Sequence, residues 1–441
     1  MQRPHTVSSS SADNGERICQ KFVDETIDAE GHLIDAKFKC PDNFNFAYDV
    51  VDAIAAKNPE KLAMAWVDKQ HKRTDFTFTD ILIKALIENG CEPIYRLGVT
   101  IETFHKIKSY RIYPPKDMAK WARICEHIIL HYNHGWADGF NFNIKYWEIW
   151  NEPDGHPIPK NNGMWNATKE EYFELYRVAS KHLKERFGDS IKVGGYASCG
   201  FYKELECQLG LGAAFGTTEP LTDWQERILY FENFFFEFIK IVKEENLPLD
   251  FFSYHSYSQP DENQIMQKFC EKCLNEAGLG DIEIQLNEWN PNPYHEQRGT
   301  NRACAAAVAN MCAMQNTKMT LMCFYDCKIG IGAYGGLFNP NTYEPFCTYY
   351  GFKAFGKLYK LQNQIEFNCD NDEIFGLAAT NGDITGVLLS NLGEDTTVEF
   401  ECEDYHNAFL IDENNTFSLM DIKENSFEIK KNRVVYIEIK H

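Results

Sequence analysis

Two glutamates stand just beyond the ends of predicted β-strands, where their carboxylates could act as acid, base or nucleophile. Glu152 lies in Trp147-Glu-Ile-Trp-Asn-Glu-Pro153, and Pro153 ends strand pairing directly after it. Glu288 follows a second strand-like run, Ile282-Glu-Ile-Gln-Leu-Asn-Glu-Trp289. The active sites of parallel sheets and barrels lie beyond the carboxyl ends of the strands, so we expect both carboxylates at one mouth. Considered alone, Glu152 could instead stabilise a loop by capping backbone N–H groups.

The spacing of the two glutamates along the fold predicts a short gap between them. Glu152 follows the second of six predicted strands and Glu288 the fifth. In an eight-stranded barrel, three strands subtend about 135°, which separates the Cα atoms by roughly 12 to 13 Å. Two glutamate side chains that each reach about 4 Å inward then leave about 5 Å, which is the separation of retaining glycosidases. One carboxyl would donate a proton to the leaving oxygen, and the other would attack the anomeric carbon.

Further polar and aromatic residues stand at the same predicted mouth. Asn151 can hydrogen-bond a sugar 2-hydroxyl. A lone histidine is usually a core residue whose hydrogen bonds are satisfied. His255 and Tyr257, however, follow an apolar run directly and alternate in direction with Ser256, so both could face the mouth. Arg96 and Asp326 each fit either a site contact or a structural ion pair. The predicted substrate contacts are Asn151, His255, Tyr257, Asp326, Arg96 and Trp289. No histidine pair has metal spacing, so no metal or other cofactor is predicted.

The elements that must hold these residues alternate between strand and helix. Strands are predicted at residues 93–97, 145–149, 191–195, 249–254, 282–286 and 320–325, with helical patterns between them. Thr168-Lys-Glu-Glu171 is a capping box that opens a helix, and Gly90 suits the left-handed end of another. Six strands alone leave a doubly wound sheet and a closed barrel open, and the paired glutamates favour the barrel.

Composition excludes several functions. The 441 residues are 44% hydrophobic and carry a net charge of −21, a balance that repels nucleic acid and anionic membranes. Neither a membrane-spanning run nor the apolar core of a signal peptide is visible, so a cytoplasmic location is predicted. The 15 cysteines have no framework spacing, and Cys270-Glu-Lys-Cys273 without a second pair favours buried thiols over zinc. A homo-oligomer is left open.

Three segments differ in character. Residues 1–75 are predicted to be an atypical and partly disordered N-terminal segment, with one helix-like stretch near residues 47–56. Residues 76–361 carry the strand and helix alternation of the predicted (β/α) barrel. Residues 362–441 show short alternating runs broken by turns such as Asn381-Gly-Asp383, which predict an antiparallel β domain.

The residues quoted so far resemble family 39 of the glycoside hydrolases, which contains β-xylosidases and α-L-iduronidases. The stretches that match are Tyr95-Arg-Leu-Gly-Val-Thr-Ile-Glu102, Ile112-Tyr-Pro-Pro-Lys-Asp117, Trp147-Glu-Ile-Trp-Asn-Glu-Pro-Asp154, Lys192-Val-Gly-Gly195, Ser253-Tyr-His-Ser-Tyr257, Leu286-Asn-Glu-Trp289 and Tyr325-Asp326. The resemblance covers about residues 76–361. It implies a (β/α)8 TIM-type barrel followed by a C-terminal β-sandwich, with Glu152 as acid/base and Glu288 as nucleophile of a retaining exo-glycosidase acting on a glycoside or oligosaccharide.

The beginning of the chain departs from this family. Two strands that precede residues 93–97 in the family are not recognisable here, so the barrel is predicted to lack its first two strands. Residues 41–75, beginning Pro41-Asp-Asn-Phe-Asn-Phe46, instead resemble the start of an acyl-CoA synthetase, which suggests a fused chain. The alternative function is then an impaired or sugar-binding barrel. An adenylating ligase is a third reading, but no phosphate-binding loop follows.

Overall fold

A computed structural model describes residues 22–29, 32–39, 76–99, 102–212, 215, 220–291, 295–327, 334, 336–401, 405–422 and 425–441. The chain divides into two compact units, one of residues 1–90 and 104–110 and the other of residues 91–103 and 111–441. Within these described ranges, no helix combines the length and apolarity that spanning a membrane requires.

The first unit contains a β-hairpin and a helix. Strand β1 (Val23–Ile27) pairs antiparallel with β2 (Leu33–Phe38), and this hairpin was not predicted. Helix α1 (Thr77–Glu88) is followed by Gly90 at φ 75°, the left-handed position predicted for it. The helix-like stretch predicted near residues 47–56 lies outside the described residues.

The second unit is built on a parallel sheet of six strands that neighbour one another in chain order. All six strand predictions are confirmed by β3 (Ile94–Leu97), β4 (Tyr146–Ile149), β5 (Lys192–Ser198), β6 (Phe251–Ser256), β7 (Glu283–Trp289) and β8 (Met319–Phe324). The helices of this unit are α2 (Met118–His134), α3 (Lys169–Phe187), α4 (Tyr202–Gln208), α5 (Asp223–Glu244), α6 (Pro260–Glu276), α7 (Asn301–Met314) and α8 (Cys347–Tyr359). Short 3₁₀ helices lie at Tyr110–Ile112, Pro159–Asn161, Gly188–Ser190 and His295–Gln297.

Local signals explain where the helices begin and which face they bury. In α3, the Thr168 hydroxyl accepts a hydrogen bond from the Glu171 N–H at 3.3 Å, and the Glu171 carboxylate accepts one from the Thr168 N–H at 2.9 Å. This is the predicted capping box. Tyr172, Leu175 and Tyr176 recur at helical spacing and are fully buried. The parallel order brings the carboxyl ends of all six strands to one edge, where the predicted site residues follow.

The two outer strands of the sheet, β3 and β8, are open on their far sides. No strand in the part of the chain that the structure describes pairs with either outer edge. Thr320 and Cys323 of β8 are exposed, whereas every residue of β6, in the middle of the sheet, is buried. A (β/α)8-type fold with six of its eight strands among the described residues has this arrangement, which confirms the predicted fold class.

An antiparallel β structure follows the barrel-type sheet. Its strands are β9 (Asn363–Ile365), β10 (Ile374–Thr380), β11 (Ile384–Asn391), β12 (Thr396–Glu399), β13 (Tyr405–Ile411), β14 (Thr416–Met420), β15 (Ser426–Ile429) and β16 (Arg433–Lys440). They form a sheet in the order β14-β13-β16-β11-β10-β9 and a smaller sheet of β12 and β15. Phe427 and Ile429 of the smaller sheet share a core with Ile374, Leu389 and Val435. The predicted domain boundaries near residues 75 and 362 stay predictions.

Helix α7 joins the two parts of the second unit. It is buried at nearly every position, as expected of a helix that is apolar on all sides, and the Ser390 hydroxyl of β11 donates to the Ala305 carbonyl at 2.7 Å. The neighbouring α6 carries Cys270 and Cys273, whose thiols are both buried. Burial raises the pKa of Cys273 to about 11, which fits the structural role predicted for this pair.

Candidate active site

The end of β4 aims Glu152 through an unusual backbone path. Trp150 and Glu152 have φ values of 75° and 45°, in the left-handed region that such side chains rarely adopt. Two backbone hydrogen bonds hold this path, from the Trp150 N–H to the Leu97 carbonyl at 2.8 Å and from the Glu152 N–H to the Ala197 carbonyl at 3.0 Å. Gly98 makes room for the Trp150 ring, since a Cβ there would lie 2.5 Å from it.

Glu288 lies on β7 and faces His255 of β6 and Tyr257, which follows the end of that strand. The Tyr257 hydroxyl donates to Glu288 Oε1 at 2.5 Å, and His255 Nε2 lies 3.7 Å from Glu288 Oε2. The same imidazole contacts Glu152 Oε1 through its Nδ1 at 2.7 Å. His255 therefore lies between the carboxyl groups of Glu152 and Glu288, the two residues predicted to face each other at the mouth.

The gap between the two glutamates is short. One oxygen of Glu152, one oxygen of Glu288 and one ring nitrogen of His255 all lie within 4.8 Å of one another, comparable with the gap of about 5 Å expected from strand positions. Burial alone would lower the pKa of His255. The charge of Glu288 and the hydrogen bond to Glu152 outweigh burial and the nearby Arg96, so this pKa is raised. The raised pKa favours the protonated imidazolium, whose charge lies between the two carboxyl groups.

Arg96 makes both of the contacts that the sequence left open. Its Nε donates to Glu148 Oε2 at 2.5 Å, a structural ion pair between residues directly opposite each other on β3 and β4. Its Nη1 also lies 3.7 Å from Glu288 Oε2. Sequence analysis did not select Glu148, although its alternation with the outward-facing Trp147 along the strand was a visible signal.

Two further acidic residues were not predicted. Asp154 is fully buried and accepts hydrogen bonds from the Ser198 hydroxyl at 2.8 Å and from the Cys199 N–H. Burial, together with the charge of Glu152, raises the pKa of Asp154 to about 7 despite these bonds. Burial and the charges of Glu152 and Glu288 also raise the pKa of Glu102. Glu102 and Asp154 each end one of the sequence stretches quoted for the family resemblance, and that position was the signal that could have identified them.

An aromatic wall stands beside Glu288. The ring of Tyr257 stacks on that of Tyr334 at 5.0 Å between centroids, and Tyr325 contacts Tyr334 edge-on at 4.9 Å. Burial and the charges of the site carboxylates raise the pKa of Tyr334 to about 12. Such rings provide the flat apolar surface on which a sugar face can pack.

The remaining predicted contacts are placed differently. Asn151 is buried beside Met164, and its Oδ1 has no hydrogen-bond partner among the described residues. Trp289 is only 1% exposed and packs against Phe324 and Phe352. Its side chain has almost no exposed surface for a ligand, which argues against the predicted substrate contact. Asp326 is half-buried, and its charge acts on Arg298.

Glu152, His255 and Glu288 also form a group that could offer one ligand atom each to a metal ion. The guanidinium of Arg96 lies 3.4 Å from His255 Nε2 and 3.7 Å from Glu288 Oε2. A fixed positive charge at this distance repels a cation. The arrangement therefore suits proton transfer and attack by a carboxylate better than metal binding.

Comparison with known proteins points to one family. A family model described as glycosyl hydrolases family 39 matches residues 60–301, which is more than half of the chain. The match begins inside residues 41–75, so the family accounts for part of the segment that resembled an acyl-CoA synthetase. A curated β-xylosidase from Geobacillus stearothermophilus is 22% identical over 254 residues, covering 50% of this chain and 43% of the relative. The chain thus matches less than half of that relative's length.

Two solved structures share the fold. A glucosidase from Croceicoccus marinus has a TM-score of 0.61 and 19% identity, covering 84% of this chain and 82% of its own. A family 39 β-xylosidase from Caulobacter crescentus has a TM-score of 0.58 and 16% identity, covering 86% of each chain. At these identities the likeness concerns the fold.

Proposed function

This chain belongs to family 39 of the glycosyl hydrolases, and from that premise we propose that it is a retaining exo-glycosidase that releases a terminal sugar. Glu152 is the acid/base and Glu288 the nucleophile. The observation that carries the proposal is the approach of oxygen atoms of these two residues to within 4.8 Å. Retaining enzymes hold their carboxyl groups about 5 to 5.5 Å apart, whereas inverting enzymes leave a wider gap for water.

In the first step, a carboxylate oxygen of Glu288 attacks the anomeric carbon while the carboxyl of Glu152 gives its proton to the leaving oxygen. The C–O bond to the leaving group breaks as the ester bond to Glu288 forms. In the second step, Glu152 takes a proton from water, which attacks the same carbon and releases Glu288. The double displacement returns both residues to their starting states.

The contacts of Glu288 support its role. Tyr257 donates to Oε1, and Arg96 lies near Oε2, so the carboxylate is held in one orientation and its charge is stabilised. Restricting a reacting group to the geometry of attack can provide a large part of the rate enhancement. Asn151, with its unpartnered amide oxygen, is the proposed contact for the sugar 2-hydroxyl.

The substrate is proposed to be a β-linked neutral sugar. Two curated relatives, one of them from Caldicellulosiruptor saccharolyticus and 28% identical over 127 residues, are named β-xylosidases, so aryl β-xylosides are the first substrates to test. Arg96, which lies near Glu288, is paired with Glu148, which disfavours recognition of a uronic acid through this arginine. A cytoplasmic location, the lack of a nucleic-acid partner and any homo-oligomer stay predictions.

Two variants test the roles. Glu152→Gln should slow hydrolysis of substrates with poor leaving groups by about 100-fold to 10,000-fold and affect activated aryl glycosides less. A 2-fluoro sugar should label Glu288, as read by mass spectrometry of peptides. Unchanged turnover of a poor leaving group in Glu152→Gln would remove the acid assignment, and a label on another residue would remove Glu288 from its role.

A second function is favoured by one observation, the unpaired outer edges of β3 and β8 among the described strands. If the barrel is incomplete in solution, it could bind a sugar without turning it over. Calorimetry with xylose and xylobiose, run beside the aryl glycoside assay, distinguishes the two functions, since binding without any hydrolysis would favour the second.

A further inference from the structure

A third carboxylate, that of Glu148 on β4, lies beneath the proposed catalytic pair. It is only 1% exposed. Arg96 Nε donates to its Oε2 at 2.5 Å, while the Ser253 hydroxyl and the Asn287 amide each donate to its Oε1 at 2.6 Å. Burying a carboxylate is unfavourable unless it is paired and fully hydrogen-bonded, and three donors from three different strands meet that requirement.

One arm of this hydrogen-bond network connects Glu148 to Glu288 through Arg96 and Asn287. The guanidinium that Glu148 holds also lies 3.7 Å from Glu288 Oε2. Asn287 precedes Glu288 directly, and both side chains lie on the face of the sheet that carries Glu148 and Arg96. Successive residues of a regular strand point to opposite faces, but the pairing of β6 with β7 shifts register here, from Tyr254 opposite Leu286 to His255 opposite Glu288. The bulge turns Asn287 inward to Glu148.

The other arm connects Glu148 to Glu152 through Ser253 and Ala197. The Ser253 hydroxyl, which donates to Glu148, accepts a hydrogen bond from the Ala197 N–H at 2.9 Å. The carbonyl of Ala197 in turn accepts the Glu152 N–H at 3.0 Å. Ala197 has a φ of 56°, so this segment of β5 is held in a sparsely populated conformation by the contacts around it.

We infer that Glu148 is a positioning residue that sets the orientation of both proposed catalytic carboxylates, an inference that rests on the proposed function. Arg96 lies between two carboxylates and is closer to Glu148 than to Glu288. Without the charge of Glu148, the guanidinium would move to Glu288 and form a direct ion pair. The lone pairs of Glu288 would then be engaged by Arg96 when they are needed to attack the anomeric carbon.

The two arms predict different kinetic defects. Glu148→Gln places an amide that can no longer accept strongly from Arg96, so formation of the glycosyl-enzyme should slow about 100-fold, the effect of an ångström-scale misplacement. The loss should be equal for good and poor leaving groups, with KM little changed. Ser253→Ala removes one donor to Glu148 and also the contact with Ala197, so it should slow activated substrates about tenfold and substrates with poor leaving groups more. Glu148→Asp, which keeps the charge, should recover part of the Glu148→Gln loss.

The experiment measures the rate at which dinitrophenyl 2-fluoro glycosides of xylose, glucose, galactose and arabinose trap each variant. In this step an oxygen of Glu288 bonds to the anomeric carbon and dinitrophenolate leaves. A trapping rate within about threefold of wild type in Glu148→Gln would overturn the inference. So would a loss confined to poor leaving groups when turnover of aryl glycosides with good and poor leaving groups is compared.

Two further results separate this inference from neighbouring explanations. If Glu148→Gln does not fold, Asn287→Ala removes one donor to Glu148 and leaves the ion pair with Arg96. It should slow trapping about tenfold, the loss of one hydrogen bond to a charged group, and an unchanged rate would overturn the inference. A wild-type enzyme that none of the sugars labels would refute the proposed function, and this inference with it. If the wild-type enzyme is labelled and the variants are trapped at the same rate, the inference is refuted and the proposed function is not.

Discussion

Replacing Asp154 with asparagine is expected to stabilise the protein above about pH 7. Asp154 is completely buried, and burial with the charge of Glu152 raises its pKa from 3.8 to about 7. Between those pH values the folded protein keeps a proton on Asp154 that the unfolded chain has released. Stability therefore falls as pH rises through this window, because the folded state binds more protons than the unfolded state.

The size of the effect follows from the same shift. A rise from 3.8 to about 7, at about 1.36 kcal/mol per pKa unit, corresponds to roughly 4 kcal/mol of stability lost between about pH 4 and pH 7. The amide of Asp154→Asn does not titrate, and its oxygen can still accept from the Ser198 hydroxyl. The variant should match wild type within about 1 kcal/mol near pH 4 and exceed it by several kcal/mol at pH 8.

Unfolding by urea at a series of pH values tests this expectation. Points close to the sequence pI of 5.1 are left out, since a net charge near zero promotes association. Asp189→Asn, which removes a fully exposed carboxylate, controls for loss of surface charge. The hydrogen bond from Ser198 lowers the pKa of Asp154, so Ser198→Ala should move the window to higher pH. Parallel curves for wild type and Asp154→Asn from pH 4 to pH 8 would refute the reasoning.

Three other substitutions test separate parts of the structure. Tyr257→Phe removes a hydroxyl donor at 2.5 Å from the proposed nucleophile and should lower kcat by about 10-fold to 100-fold, the worth of a hydrogen bond to a charged group; unchanged steady-state kinetics would contradict this. Gly98→Ala should destabilise by about 2 to 4 kcal/mol in urea unfolding, because its Cβ would meet a buried indole at 2.5 Å. Gly382 is also at positive φ but has open space around it, so Gly382→Ala should lose only the stability that backbone strain costs. Equal losses of stability in the two variants would argue against the clash. Thr168→Ala should lose about 1 kcal/mol with its helix cap, whereas Thr168→Ser should keep most of it.

Sequence patterns were sufficient for elements that local chemistry determines. The capping box at Thr168 and the apolar runs of the six parallel strands depend on residues close together in the chain, so periodicity could find them. The positions of Glu152 and Glu288 followed from a geometric rule, since the ends of parallel strands meet at one edge. Each of these predictions needed only the order of elements along the chain.

The remaining features depend on contacts that the order of elements does not determine. The bulge on β7 that turns Asn287 inward is a shift in strand pairing, and pairing is invisible in a single strand's sequence. Trp289 is predicted as a substrate contact at the end of its strand, but its ring is buried and packs against Phe324. The burial that shifts the pKa of Asp154 comes from surrounding elements and not from its own segment.

The distribution of site residues over strands bears on whether an incomplete barrel could still act. The carboxylates and their supporting contacts come from β3, β4, β6 and β7, through Arg96, Glu148, Ser253 and Asn287. Within the described part of the chain, the contacts of these four residues require no strand beyond the outer edges of β3 and β8. Arg96, however, stands on β3, one of the two edge strands, and edge strands are held by fewer neighbours. Incomplete closure should therefore first loosen the hold of Arg96 on Glu148 and Glu288, and so slow the attack by Glu288 before it abolishes sugar binding.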